Sequence, residues 1–378
     1  MKLKTSVIAV LTAIFASSCN DGQDSRPLTE IKVDFDKKEI IKVDDKQIVS
    51  LETLDNSLLF DICNVEAIDS FYVVQSRNFL RLFSKNGKFV RNIGAQGHAE
   101  NEYQSIANFF VHGNLIKLYD FNSKSLISYD VNGGYKGRTK VIRTVDKNTI
   151  IPNHLYQTND GYISVNTFGG SDRAVPCLSK ADTAMKNYSP FSGRNVENGF
   201  FFPDDICIWK DKALYWQPLC DTLFVAEGSE IRPLYHFDLG EYAMPSDISC
   251  KNVYERIDFS NKMYKEKKPF AGMLRYYSVH DDFIYFVCVA PGYEITLCSL
   301  NTKDNTVKLF QFDFTNKNMQ LQPFLKIIGD KMLLSAIDKT KPTENPCLIT
   351  KVSHIYKHTQ MSDCQQIAKT LISIRQNA

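Results

Sequence analysis

Side chains able to do chemistry are present in this chain but dispersed. The seven histidines are His98, His112, His154, His236, His280, His354 and His358. Only His354 and His358 have a ligand-like spacing, four apart, which would put both imidazoles on one face of a helix. No HExxH frame and no third ligand accompanies them, and Val352, Ile355 and Tyr356 suit a strand end or loop equally well. No metal and no cofactor is expected. Asp204-Asp205 and Asp281-Asp282 are adjacent acids. Neighbours on a strand point to opposite faces, so neither pair suits acid/base catalysis, and Asp281-Asp282 reads as a turn. No G-x-S-x-G elbow offers a nucleophile. The ten cysteines contain no CxxC and no Cys/His cluster, so most are expected to pack as small apolar side chains. Cys288 and Cys298 flank Pro291-Gly292. A hairpin centred there sets Cys298 opposite Tyr285, which disfavours a bond between the two cysteines.

The elements that would position these groups begin with an export signal. Lys2 and Lys4 precede an apolar run from Val7 to Phe15, then Ala16-Ser17-Ser18-Cys19. The run is too short to span a bilayer as a helix. Small residues leading into a cysteine resemble the lipobox of bacterial lipoproteins, in which the Cys is acylated (palmitate) and becomes the new N-terminus. That resemblance implies a signal peptide over 1–18 and a lipidated Cys19 with a polar tether over 19–30. It places the remainder, 31–378, in the cell envelope, lipid-anchored at the outer membrane, facing the periplasm or the cell surface. The whole chain has 45 Lys+Arg against 43 Asp+Glu, and the signal contributes two lysines and no acid. The charge is thus balanced, which argues against a nucleic-acid partner.

A repeat organises the rest. Six short polar turns lead into apolar and aromatic runs: Asp69-Ser70, His112-Gly113, Asp160-Gly161, Lys210-Asp211, Asp281-Asp282 and Gly329-Asp330. Asp69, Gly113, Asp160, Asp211, Asp281 and Asp330 are 44, 47, 51, 70 and 49 residues apart. A period near 45–50 with several strands per unit is that of propeller blades. The long step holds an insertion at about 244–270, which reads as partly helical. At an offset of 46, Leu80, Phe83, Asn86, Gly87 and Phe89 align with Leu126, Tyr129, Asn132, Gly133 and Tyr135. Asn-Gly in both copies suits a type I′ turn. The expected fold is all-β, a six-bladed β-propeller. Strands before the first unit complete the last blade, and a short C-terminal helix carries Ile367, Leu371 and Ile374 on one face.

Ile93-Gly94-Ala95-Gln96-Gly97-His98-Ala99-Glu100-Asn101-Glu102-Tyr103 resembles the G-x-x-G-x-G-P-G-E-[FY] segment of NHL-like propellers, and more specifically the six-bladed propeller lipoproteins of Bacteroides-type bacteria. Gly94, Gly97, Glu102 and Tyr103 match; Ala99, Glu100 and Asn101 stand where the family has Gly-Pro-Gly. The matching residues read as a structural turn between blades. No catalytic residue carries over from the resemblance.

Propellers bind ligands at the mouth of the central channel, built from inner strand ends and loops. The residues expected to reach it are Asp61, Asn108, His154, Asp204, Arg275 and Tyr276. The expected function is that of a lipid-anchored propeller binding a ligand, such as a glycan or peptide, or an envelope protein, with no identifiable catalysis. The alternatives are a metal-dependent propeller hydrolase or lyase, for which channel-capable acids are the only motive, and a structural accessory subunit of an envelope complex.

Overall fold

The computed structural model describes residues 28–350, apart from 142, 146–147, 151, 166–177, 186–187, 194–205, 210–211, 217–218, 250, 252, 291–293 and 330. The expected C-terminal helix, the histidine pair at 354 and 358, and the signal segment lie outside the described residues.

The chain forms a six-bladed β-propeller. The innermost strands of blades one to six are Asn64–Ile68, Asn108–His112, His154–Thr158, Ile206–Trp209, Gly272–His280 and Met319–Ile328. Each contacts the next, and the sixth contacts the first, so the ring is closed. The turn signals read from the sequence fall after these strands. Asp69 and Asp281 hold φ of 51° and Gly113 holds 57°, the left-handed geometry such tight reversals need.

We call the face on which the inner strands begin the upper face. It carries the blade-to-blade connections 51–63, 93–107, 141–153, 239–271 and 315–318; the inner-strand turns lie on the lower face. Blades five and six have longer inner strands than blades one to three, with nine and ten residues against five in each. The insertion before blade five is partly helical as expected, with helices Ser246–Ser249 and Val253–Lys265.

An N-terminal strap closes the ring. Thr29–Lys32 adds a parallel strand to the outer edge of blade four, and Lys38–Val43 does the same for blade five. Ile48–Ser50 then pairs antiparallel with Cys347–Ile349 as the outermost strand of blade six. The strap covers edges that would otherwise expose unpaired backbone groups. Six apolar clusters fill the gaps between neighbouring blades among the described residues, one per junction. The fourth and fifth blades share the most aromatic of these, where Trp216, Phe237 and Phe286 pack with ring centroids 4.9–5.5 Å apart.

Two local expectations need correction. At Asn86-Gly87 and Asn132-Gly133 only the glycines have positive φ, 86° and 78°. The turns are therefore not type I′. Ser84 accepts from the Gly87 N–H and Asp130 from the Gly133 N–H, each at 2.9 Å, and the register shifts one residue into the outer strand pair. This is a type I turn relieved by a glycine bulge, so one left-handed residue suffices. Gly87 is further fixed by the strap: a Cβ there would lie 2.0 Å from the Ser50 carbonyl oxygen. In blade five, Cys298 stands opposite Phe286, and Cys288 opposite Thr296. The strands are out of the expected register by one residue, which brings Cys288 and Cys298 to the same face.

Candidate functional site

The central channel is the site the fold builds. It holds a cavity of about 410 Å³, lined by residues of all six inner strands. The inner strands expose one unpaired edge to it, so their free N–H and C=O groups need partners. Side chains supply them across the junctions. Asn64 of blade one donates through Nδ2 to the Phe109 carbonyl of blade two at 3.1 Å. Asn108 holds the equivalent position in blade two and contacts Leu155 of blade three twice. Its Nδ2 donates to the Leu155 carbonyl, and its Oδ1 accepts the Leu155 N–H at 3.1 Å. Between blades four and five, the Val279 N–H donates toward the Cys207 sulfur. Between five and six, Ser278 Oγ accepts the Ile327 N–H at 3.1 Å. Between six and one, Lys326 Nζ meets a Glu66 carboxylate oxygen at 2.6 Å.

Glu66 and Lys326 are the only charged residues lining the cavity among those described. Their side chains are 21% and 30% exposed, so water in the channel reaches both. Burial works against the Lys326 charge, but the adjacent Glu66 carboxylate more than offsets this and leaves its pKa raised. Burial pushes the neighbouring Cys207 thiol up to about 11, so it is not a nucleophile at neutral pH. Among the described residues, no group of three or more His, Cys, Asp or Glu side chains could hold a metal ion.

The residues expected at the mouth are not gathered there as a set. Asn108 lines the cavity but is 4% exposed and committed to the blade-three backbone. Asp61 is exposed on the approach to blade one, where it accepts from Ser76 Oγ at 3.3 Å and from Cys63 Sγ at 3.5 Å. His154 begins the inner strand of blade three beside Tyr156, yet neither it nor Asp61 lines the cavity. Burial drives its pKa down to about 4, so it is neutral at physiological pH. Arg275 and Tyr276 lie on the inner strand of blade five, their side chains outside the described residues, as is Asp204.

The glycine-containing segment forms a closed turn between blades one and two. The Gly97 N–H donates to the Tyr103 carbonyl at 2.8 Å, and the Tyr103 N–H to Ala95 at 3.0 Å. Glu102 turns its carboxylate back onto the Ala99 N–H at 2.9 Å; a Cβ on Gly97 would lie 2.0 Å from that carboxylate. Tyr103 is buried, and burial raises its pKa to about 12. Tyr129 of blade two donates to the Asn101 carbonyl at 2.9 Å and packs where a Gly94 side chain would stand. Arg138 donates to the Glu100 and Glu102 carbonyls. These bonds tie the turn to blade two.

The family described as a domain of unknown function, DUF4934, matches residues 29–350, from the start of the strap to the end of blade six. The chain belongs to this family. Two solved structures place the DUF4934 fold among Bacteroides proteins. A protein described as exported, from Bacteroides fragilis NCTC 9343, is 15% identical with a TM-score of 0.58, over 83% of this chain and 99% of its own. A member of the DUF4221 family from Bacteroides vulgatus ATCC 8482 is 11% identical with a TM-score of 0.53, over 80% and 94%. At these identities the likeness is one of fold. The DUF4934 chain is thus a six-bladed propeller of the Bacteroides type, as the turn motif implied. No curated protein matches it.

Proposed function

We propose that the chain is a lipid-anchored envelope propeller that binds a ligand or envelope partner on its upper face, over the channel, without catalysing a reaction. The observation that carries this reading is the channel itself. It is closed by six strands and large enough for a small ligand, and its wall groups serve to join the blades. The connection 239–271, with its two helices, lies on the same face as that mouth.

The chain direction supports an orientation. Thr29–Lys32 runs parallel to the last strand of blade four, with Thr29 opposite Tyr235 and Lys32 opposite Asp238 at its upper end. Thr29 therefore lies nearer the lower face than Lys32 does. A lipid on Cys19 would sit at the end of nine residues, a reach of at most about 30 Å. On this reading the lower face is turned to the membrane and the channel mouth away from it. An exported neighbour, and the absence of any helix long and apolar enough to cross a membrane among the described residues, accord with an envelope location.

Gentle solubilisation of outer membranes containing the tagged full chain tests the reading. A protein or glycan that co-purifies stoichiometrically, and is lost on substitution of residues of the upper face, supports it. Membrane retention of an exported Cys19→Ala chain would refute the lipid anchor. Turnover of a substrate by the purified chain would refute the non-catalytic assignment.

A further inference from the structure

We propose that Cys288 and Cys298 are a modification site: a cross-strand disulfide that closes within blade five during folding in an oxidising compartment. The two residues lie ten apart in sequence on adjacent strands, and the observed register puts both side chains on the same face. Their Sγ atoms are 3.4 Å apart and already in contact. Forming a bond of about 2.05 Å requires about 1.4 Å of approach, shared between two side chains and a hairpin. The site is dry. Cys288 is 1% exposed and Cys298 0%, in the cluster that joins blades four and five. The proposal depends on export, because thiols stay reduced in a typical cytosol.

Burial, with the neighbouring Cys288 thiol, holds the Cys298 thiol far above its ordinary range, so the finished core is inert to oxidants. The reaction therefore belongs to the stage when the hairpin has formed and blades four and five have not yet closed over it. One cysteine loses its proton and attacks the disulfide of a thiol-oxidising protein or small disulfide, expelling one thiol. The second, deprotonated in turn, attacks the mixed disulfide and expels the other. Two protons and two electrons leave the pair, and the oxidant's disulfide is reduced to two thiols.

Both cysteines, and no others, fall in the single tryptic peptide Tyr276–Lys303. The test uses the full chain expressed with its own signal, denatured and alkylated without reductant, then digested. A closed pair gives this peptide without alkyl groups and about 2 Da lighter than its reduced form, and reduction then admits two alkyl groups. In Cys298→Ala the peptide should take one alkyl group at Cys288 without reduction. A chain processed at Cys19 whose peptide takes two alkyl groups, or is joined to another peptide, overturns the proposal. A chain that retains its signal refutes the export reading instead. Refolding the denatured chain in mixed oxidised and reduced glutathione then decides: a closed peptide supports the pair, and an open one rejects it.

Discussion

Lys326 Nζ lies 2.6 Å from a Glu66 carboxylate oxygen, across the one junction where the end of the ring meets its beginning. The other described bridges between inner strands use amides, a hydroxyl and a thiol. This one joins the two inner strands farthest apart in the chain.

Removing one partner of this pair should cost more than removing both. Lys326→Met or Glu66→Gln should lower stability by roughly 1–3 kcal/mol, less than for a fully buried pair because channel water reaches both groups. The double variant should recover part of that loss in denaturant titration. The raised Lys326 pKa sets the pH dependence. Its stabilisation is complete below the ordinary lysine value of 10.5 and is lost as pH rises beyond it. Thermal melts from pH 9 to about 12 should therefore fall more steeply for the wild type than for Lys326→Met.

His154 should make the protein acid-sensitive. Its folded pKa of about 4 lies below the ordinary 6.5, and its Nδ1 is buried without a hydrogen-bond partner among the described residues. A depressed histidine favours the folded state fully above pH 6.5 and loses that contribution as pH falls toward 4. His154→Phe should flatten the fall in melting temperature across that window. An unchanged slope would show that His154 is not the group responsible.

Gly94 and Gly113 separate backbone strain from packing. Both have positive φ, 66° and 57°, but a Cβ on Gly94 would meet the Tyr129 ring at 2.7 Å, while Gly113 has open space. Gly113→Ala should cost about 1 kcal/mol, and Gly94→Ala about 2–4 kcal/mol. Equal losses in urea titration would mean that Tyr129 yields freely.

The strap offers a similar contrast. Ile31 is buried in the cluster between blades four and five, whereas Ile40 is exposed on the second strap strand. Ile31→Ala should cost about 2–5 kcal/mol and Ile40→Ala within about 0.5 kcal/mol. Limited proteolysis should find the strap released first in the Ile31 variant.

The blades were legible in the sequence because each depends on local chemistry. A turn such as Asp69-Ser70 or Asp281-Asp282 followed by a half-buried run declares itself within ten residues. Ring closure by the segment 31–53 was legible only in part: Ile48–Ser50 does complete blade six, whereas Thr29–Lys32 and Lys38–Val43 edge blades four and five. The channel wall was not legible. Glu66 and Lys326 each interrupt an apolar strand with one charge, which was a usable signal. Pairing them, however, requires knowing that the first and sixth inner strands are neighbours. His154 was read as reaching the mouth because it begins a strand; its ring centroid lies 6.5 Å from that of Tyr156, which lines the cavity, while His154 itself does not. The Cys288–Cys298 register was missed by one residue, enough on a strand to invert which side chains share a face.

The strap also sets a timetable. Residues 48–50 leave the ribosome among the first, yet their partners, residues 347–349, are among the last. Blades one to three pair only strands close in sequence and can assemble in order. Blade six must wait for nearly the whole polypeptide, as slow, high-contact-order folds do. A chain that crosses a membrane before its C-terminal third is available cannot lock its ring prematurely. Thr29–Lys32 has no partner until residues 235–238 emerge, Lys38–Val43 none until 309–314, and Ile48–Ser50 none until 347–349, so the strap is the stretch a holding chaperone would have most reason to shield.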